Sequence, residues 1–230
     1  MAGQALQGCD IQFMTGRGFK PTVIHVVPLR GTIYEEIKRI NSSYNLLRIV
    51  FMKGRRLLMI PGPIEFEPAV MQAVGMPTTS HVAPDFIDSF GHSLEMMRKV
   101  WLAPSGQPFI MAGSGTLAMD MAGSNLIEPG DNALVISTGY FGERYADLLK
   151  RYGANVTILK APTGDVVKLS EVEDELKRKK YKLLTVTHVD TSTAVKVDPE
   201  PLGLLGQKYG VLTLLDGVCS VAGEEIRQED

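Results

Sequence analysis

Four kinds of feature are scarce in this 230-residue chain, and each scarcity excludes something. There are only two cysteines, Cys9 and Cys219, so no disulfide framework and no thiolate metal cluster is available. A reducing compartment is the simplest setting for such a chain. No apolar run approaches the roughly 18 residues that a membrane-spanning helix needs. No charge of one sign dominates: the formal net charge is −2, which leaves no footprint for nucleic acid. His81 and His92 have no spacing suited to a metal ion, and there is no internal repeat or low-complexity tract.

What is present is ordinary for a water-exposed globular chain, with 44% hydrophobic and 22% charged residues. The near-neutral charge conceals an asymmetry. Residues 1–56 carry nine Lys/Arg against three Asp/Glu, a balance of +6, and the remainder carries −8. The first part has scattered apolar residues, no sustained period, and breaks at Gly16, Gly18, Pro21, Pro28 and Gly31. It reads as a basic N-terminal extension. A transit segment is the alternative, although an Arg-rich amphipathic stripe is missing and serines are few. Ile33 to Val50 could form one helix.

From Leu57 the pattern becomes regular. Leu57-Leu58-Met59-Ile60 is stopped by the rigid Pro61-Gly62-Pro63. Helices are predicted over Pro68–Val74 and Pro84–Trp101, the second from Phe86, Phe90, Leu94, Met97 and Trp101 at helical spacing. Strands are predicted at 108–112, 133–137, 155–159, 183–187 and 211–215. Helices alternate with them at 116–126, 141–152, 170–180 and 199–209. Ser170 followed by Glu173 suggests a capping box at the start of the third of these. Such alternation implies an α/β fold with a mostly parallel sheet covered by helices on both faces. Ligands on such sheets bind beyond the carboxyl ends of the strands.

Four loops at such ends carry chemistry. Gly113-Ser114-Gly115-Thr116 precedes a helix, so its backbone N–H groups and hydroxyls can face a phosphate. No lysine follows it, and Ala118 stands where a dinucleotide fingerprint has its third glycine. A nucleotide-binding loop and a plain strand-to-helix turn remain open readings. Asp216, ending Val211-Leu212-Thr213-Leu214-Leu215, can pair with a protonated ring nitrogen or simply cap a turn. A phosphate cup and such a carboxylate, about a hundred residues apart in sequence, suggest pyridoxal phosphate. Thr187-His188-Val189-Asp190-Thr191-Ser192-Thr193 offers hydroxyls, with His188 read as a structural hydrogen-bonder rather than a base. Thr138-Gly139-Tyr140-Phe141-Gly142-Glu143-Arg144 offers an aromatic that can stack on a ring or sit in the core.

Six ordered blocks carry a resemblance: Ile60-Pro61-Gly62-Pro63-Ile64, Ser80 to Phe86, Gly113 to Thr116, Phe141-Gly142-Glu143-Arg144, Thr187 to Ala194, and Leu215 to Ser220. Residues 57–230 resemble the N-terminal part of the large domain of fold-type-I, class V aminotransferases, and among these the fungal alanine–glyoxylate (serine–pyruvate) type. The resemblance implies pyridoxal 5′-phosphate as cofactor. It places Ser114, Gly115 and Thr116 on its phosphate, Phe141 over the ring and Thr191 near the phenolic oxygen. It pairs Asp216 with the ring nitrogen and packs Val218 against the other ring face. It implies small amino acids and 2-oxo acids as substrates, a homodimer, the Pro61–Pro63 loop at the substrate pocket, and no nucleic acid or membrane.

The family's Ser-Gln-Lys motif, whose lysine forms the Schiff base, is expected beyond Asp230, as is its substrate-binding arginine. Neither Lys196 nor Lys208 stands in the context of that lysine. The expectation is therefore a chain that binds cofactor without a catalytic residue of its own. A noncatalytic cofactor-binding or interaction protein is the alternative. A sheet cut in mid-order would also leave an unpaired strand edge and bare apolar helix faces. Family members occur in peroxisomes, mitochondria and cytosol. Arg227-Gln228-Glu229-Asp230 is not a peroxisomal signal, so the compartment stays open.

Overall fold

The computed structural model describes residues 58–228, together with the backbone of Cys9–Met14 and Thr22–Val27. The segment Ile33 to Val50 lies outside the described residues. In chain order the elements are β1 (Cys9–Met14), β2 (Thr22–Val27), α1 (Pro68–Val74), α2 (Pro84–Val100), β3 (Gln107–Ala112), α3 (Gly115–Leu126), β4 (Asn132–Ser137), α4 (Tyr140–Arg151) and β5 (Asn155–Lys160). They continue with α5 (Leu169–Arg178), β6 (Leu183–Thr187), β7 (Val189–Asp190), β8 (Val195–Lys196), α6 (Pro199–Tyr209) and β9 (Leu212–Asp216).

Seven strands form one sheet in the order β3-β2-β1-β9-β6-β4-β5, and β7 pairs with β8 in a small antiparallel ribbon. Within the large sheet only β1 runs against its neighbours. The sheet is thus mostly parallel, as the alternation of strand and helix patterns predicts. Both faces are covered. On one, Ala118 and Ala122 of α3 and Tyr145, Ala146 and Leu149 of α4 pack on Val135, Leu183 and Leu214. On the other, Val172 and Leu176 of α5, Leu202 and Leu205 of α6, and Trp101 pack on Leu134, Ile136, Leu184 and Leu215. Leu214 and Leu215 fall on opposite faces because side chains alternate along a strand. Near-continuous apolar runs such as Leu134–Ile136 are what a doubly covered parallel sheet requires.

Two strands from the N-terminal part stand in the middle of this sheet. β1 pairs with β9 so that Ile11 lies opposite Asp216, and β2 pairs with β3 so that Val27 lies opposite Ala112. β9 is therefore flanked by β6 and β1, and the outer strands of the sheet are β3 and β5. Thr22–Val27 is rich in β-branched residues, which suits a pleated strand. Their pairing with β3 and β9 joins residues about 85 to 205 apart in sequence and leaves no periodic trace near residue 56.

Other departures are local. α5 starts at Leu169, with Lys168 at its N-cap and no side-chain cap, so the expected capping box at Ser170 does not form. Ser170 lies inside the first turn, and the Glu173 carboxylate is held by Lys208 and the Tyr209 hydroxyl of α6. The ribbon of β7 and β8 replaces a plain loop. The apolar stripe of α2 changes character along its length: Phe86 and Phe90 stack on each other near the surface, and Trp101 just past the helix is 1% exposed. α1 and α2 bury no residue fully.

Candidate cofactor site

α3 begins with Ser114 in an extended conformation as its N-cap, and the Ser114 Oγ accepts from Leu117 N at 3.2 Å. The Ala118 N–H reaches the Ser114 carbonyl at 3.2 Å. The N–H groups of Gly115 and Thr116 precede the first intrahelical bond and have no acceptor among the described residues. They point out of the helix start together with its partial positive charge, which is the chemistry of an anion seat. Ser114 and Gly115 are half-buried and Thr116 is exposed.

α4 starts beside it. Gly139 at its N-cap has no side chain to offer, and the missing acceptor comes from Asp190, fully buried at the end of β7. The Asp190 Oδ2 accepts from Phe141 N at 3.0 Å and Gly142 N at 3.4 Å. Its Oδ1 accepts from the Ser192 hydroxyl at 2.6 Å, and Ser192 Oγ in turn accepts from Tyr140 N at 2.9 Å. Glycine is needed at 139 for space: a Cβ there would lie 2.5 Å from Ser192 Oγ and 2.7 Å from Asp190 Cγ. The Phe141 ring is half-buried and meets Tyr140 edge-on, 5.2 Å between centroids. Arg144, one turn on, donates to Thr116 Oγ1 and to the Tyr140 hydroxyl, both at 3.2 Å. It ties the start of α4 to the start of α3.

Asp216 closes the arrangement from the other side. Its side chain is 4% exposed and its Oδ1 accepts from Val218 N at 3.1 Å. Burial pushes its pKa up to about 6; the Val218 N–H opposes this shift and the nearby Asp190 charge adds to it. The turn after it is packed from below, since a Cβ on Gly217 would lie 2.8 Å from Val221 and 3.2 Å from the Trp101 ring. His188 N donates to the Asp216 carbonyl at 2.9 Å, and the His188 Nδ1 is 2.9 Å from Ser220 Oγ. Burial lowers the pKa of His188, which disfavours the charged ring. Burial likewise raises the Cys219 thiol, against the hydrogen bond it makes with the Thr191 side chain. Tyr145 is buried on the same side, its hydroxyl has no hydrogen-bond partner among the described residues, and the Asp216 charge adds to the burial that raises its pKa.

Direct contacts thus join the loops after β3, β4 and β6, and those after β6 and β9. Ser114 and Asp216 do not touch, because β2 and β1 separate β3 from β9. Phe141 lies in the first turn of α4, and Thr191 and Val218 lie in turns after β7 and β9; each is half-buried. Pro61 and Gly62 are exposed. Asp190, Arg144, Tyr145 and Trp101 carry much of the arrangement without a role assigned from the sequence. Asp190 and Arg144 lie within chemically suggestive blocks, but the partners that tie them to other elements are 28 to 49 residues away and only the fold brings them together.

The chain matches the family model described as aminotransferase class-V over residues 69–229. It is 39% identical over 182 residues to alanine–glyoxylate aminotransferase 1 of Saccharomyces cerevisiae, covering 75% of this chain and 47% of that protein. It is 33% identical to the alanine–glyoxylate aminotransferase of Rattus norvegicus, covering 75% of this chain and 42% of that one. Among solved structures, the alanine–glyoxylate aminotransferase of Nostoc superposes with a TM-score of 0.67 at 30% identity, over 78% of this chain and 50% of that chain. The pyridoxamine–pyruvate aminotransferase of Mesorhizobium loti, 23% identical, shares the fold with a TM-score of 0.72 over 77% of this chain and 45% of its own. The chain spans about half the length of these relatives or less. An anion seat at a helix start and a buried carboxylate at the end of another strand of the same sheet suit the two ends of pyridoxal phosphate, the cofactor of this group. The chain belongs to the class V aminotransferases.

Proposed function

We propose that residues 58–228 form the cofactor-holding part of an alanine–glyoxylate-type transaminase, which moves the amino group of alanine or serine to glyoxylate or pyruvate. The observation that carries this reading is Asp216, a carboxylate held in the core at the end of a central strand with one N–H donor and no cation among the described residues. A cationic ring nitrogen supplies the missing partner and draws Asp216 back into its ionised form. When bound, pyridoxal phosphate supplies a ring that draws electrons from the substrate α-carbon.

The chain's own residues divide the work of holding it. The N–H groups of Gly115 and Thr116 and the hydroxyls of Ser114 and Thr116 take the phosphate. Ser114 Oγ accepts from Leu117 N, so its own hydrogen is free to be donated outward. Phe141 covers one ring face and Val218 the other, and Thr191 faces the phenolic oxygen. Asp190 fixes the Phe141 backbone and so sets where the aromatic sits. The exposed apolar residues of α1 and α2, among them Val70, Val74, Ile87 and Val100, form the surface for a second copy in a homodimer.

No catalytic residue is assigned. Lys196 is paired with Glu224 and Lys208 with Glu173, both at the surface. On this reading these 230 residues bind the cofactor without turning over substrate, and covalent attachment to a lysine and the proton shuttle are not theirs. A second reading, a noncatalytic cofactor-binding protein, is favoured by the same two ion pairs. Absorbance titration of the purified chain with pyridoxal phosphate, followed by borohydride, tests both. Saturable binding with no lysine adduct is expected. A borohydride-fixed adduct on one lysine would overturn the binding-only reading, and no saturable binding would overturn the cofactor site.

A further inference from the structure

Arg144 sits at an electrostatically unfavourable place. It lies in the first turns of α4 and its guanidinium touches the first turn of α3, so the positive ends of two helices face a permanent cation. Its two hydrogen-bond partners, Thr116 Oγ1 and the Tyr140 hydroxyl, are both neutral. Among the described residues no carboxylate pairs with it: the neighbouring Glu143 is taken by Lys160, and Asp190 is occupied by the N–H groups of Phe141, Gly142 and Ser192. A half-buried arginine is thus held in place by two hydroxyls from two helices, with its charge unanswered, beside the two N–H groups of Gly115 and Thr116 that also lack an acceptor.

We propose that Arg144 is an anchoring residue for a phosphate monoester seated on the start of α3. Resting on the cofactor reading above, the inference adds a side chain to the phosphate seat and gives that seat its net charge. The geometry allows two contributions at once. Arg144 donates to Thr116 Oγ1, which fixes that oxygen as an acceptor and leaves the threonine hydrogen to point at the phosphate. The guanidinium has further N–H groups, so it also meets a phosphate oxygen, as planar guanidinium groups do well. Tyr140 keeps the guanidinium from turning away toward solvent.

The test is a comparison of pyridoxal phosphate, pyridoxal and inorganic phosphate as ligands of the full chain, by equilibrium titration of wild type, Arg144→Gln and Arg144→Lys. In Arg144→Gln, affinity for pyridoxal phosphate falls by about tenfold to a hundredfold, the range for one lost charge-assisted hydrogen bond. Affinity for pyridoxal, which has no phosphate, stays as in wild type. Arg144→Lys keeps the charge and loses the second hydrogen bond, so its loss is intermediate. Inorganic phosphate competes with pyridoxal phosphate in wild type and less well in Arg144→Gln. A variant that keeps the wild-type preference for pyridoxal phosphate over pyridoxal overturns the role of Arg144. So does one that weakens both ligands equally, since that marks Arg144 as a brace for α4. Should Arg144→Gln fail to fold, Arg144→Lys decides, because an unchanged preference there with unchanged phosphate competition also contradicts the proposal. Wild type that binds pyridoxal and pyridoxal phosphate equally refutes the phosphate seat itself, which is a separate failure.

Discussion

The two ends of the proposed cofactor site are built in opposite ways. Asp216 is buried in the sheet, the Gly217 turn after it is packed by Trp101, and it is desolvated enough that its pKa climbs to about 6. The start of α3 is open, with Thr116 exposed and two N–H groups that have no acceptor among the described residues. The ring end is set in place at a cost to folding, since a buried carboxylate with one donor is destabilising until a cation arrives. The phosphate end costs little, because water satisfies those N–H groups in the absence of an anion. Substitutions at the ring end should therefore change both stability and binding, and those at the phosphate end chiefly binding.

Trp101→Ala is the largest way to break the ring end. The indole is 1% exposed and joins α2 to Leu134, Leu184 and Leu215. Its loss should destabilise the chain by about 3–5 kcal/mol in urea denaturation and loosen the Gly217 turn, so that binding falls with stability.

Asp216→Asn separates the two costs. The Asn Oδ1 still accepts from Val218 N, while the buried charge disappears. Because burial raises the folded pKa of Asp216 from 3.8 to about 6, ionisation there opposes folding. The cost is absent below the unfolded value, grows as pH rises from 3.8, and is complete above about 6. The ligand-free variant should therefore be more stable than wild type at neutral pH, by about 1–3 kcal/mol, with the two converging in acid. Thermal melts across that range check this, and a ligand-free Asp216→Asn less stable than wild type at neutral pH would contradict it.

At the phosphate end, Ser114→Ala removes the N-cap of α3 and one phosphate donor. A stability loss of about 1 kcal/mol is expected, together with weaker binding of pyridoxal phosphate but not of pyridoxal. Smallest is Tyr145→Phe, which deletes a buried hydroxyl without a hydrogen-bond partner among the described residues. It should be neutral or stabilising by up to about 1 kcal/mol, and a clear destabilisation would show that the hydroxyl serves the Asp216 side of the site.

Much of this contrast is legible in the sequence. Strand and helix runs with the right periods, and loops at the strand ends, locate Ser114 to Thr116 and Asp216 because those signals are local. The capping box at Ser170 and Glu173 misleads because its competitor, Lys208 with Tyr209, sits on another helix. Asp190 as the cap of α4, Arg144 as the tie to Thr116, and β1 and β2 within the sheet are long-range pairings with no periodic signature. The resemblance to aminotransferases assigns chemistry to loops that spacing leaves open, as at Thr191 and Val218, but it gives Arg144 no role.

The most direct test of the central claim is the pH dependence of pyridoxal phosphate binding in wild type relative to Asp216→Asn. Taking the ratio cancels the titration of the ligand's own phosphate, which both proteins share. The account predicts that wild type binds more tightly at neutral pH. It also predicts that this advantage shrinks by up to about tenfold per unit as pH falls through about 6, where Asp216 takes up a proton. Equal binding by the two proteins at every pH would show that Asp216 does not meet the ring, and would contradict the site described above.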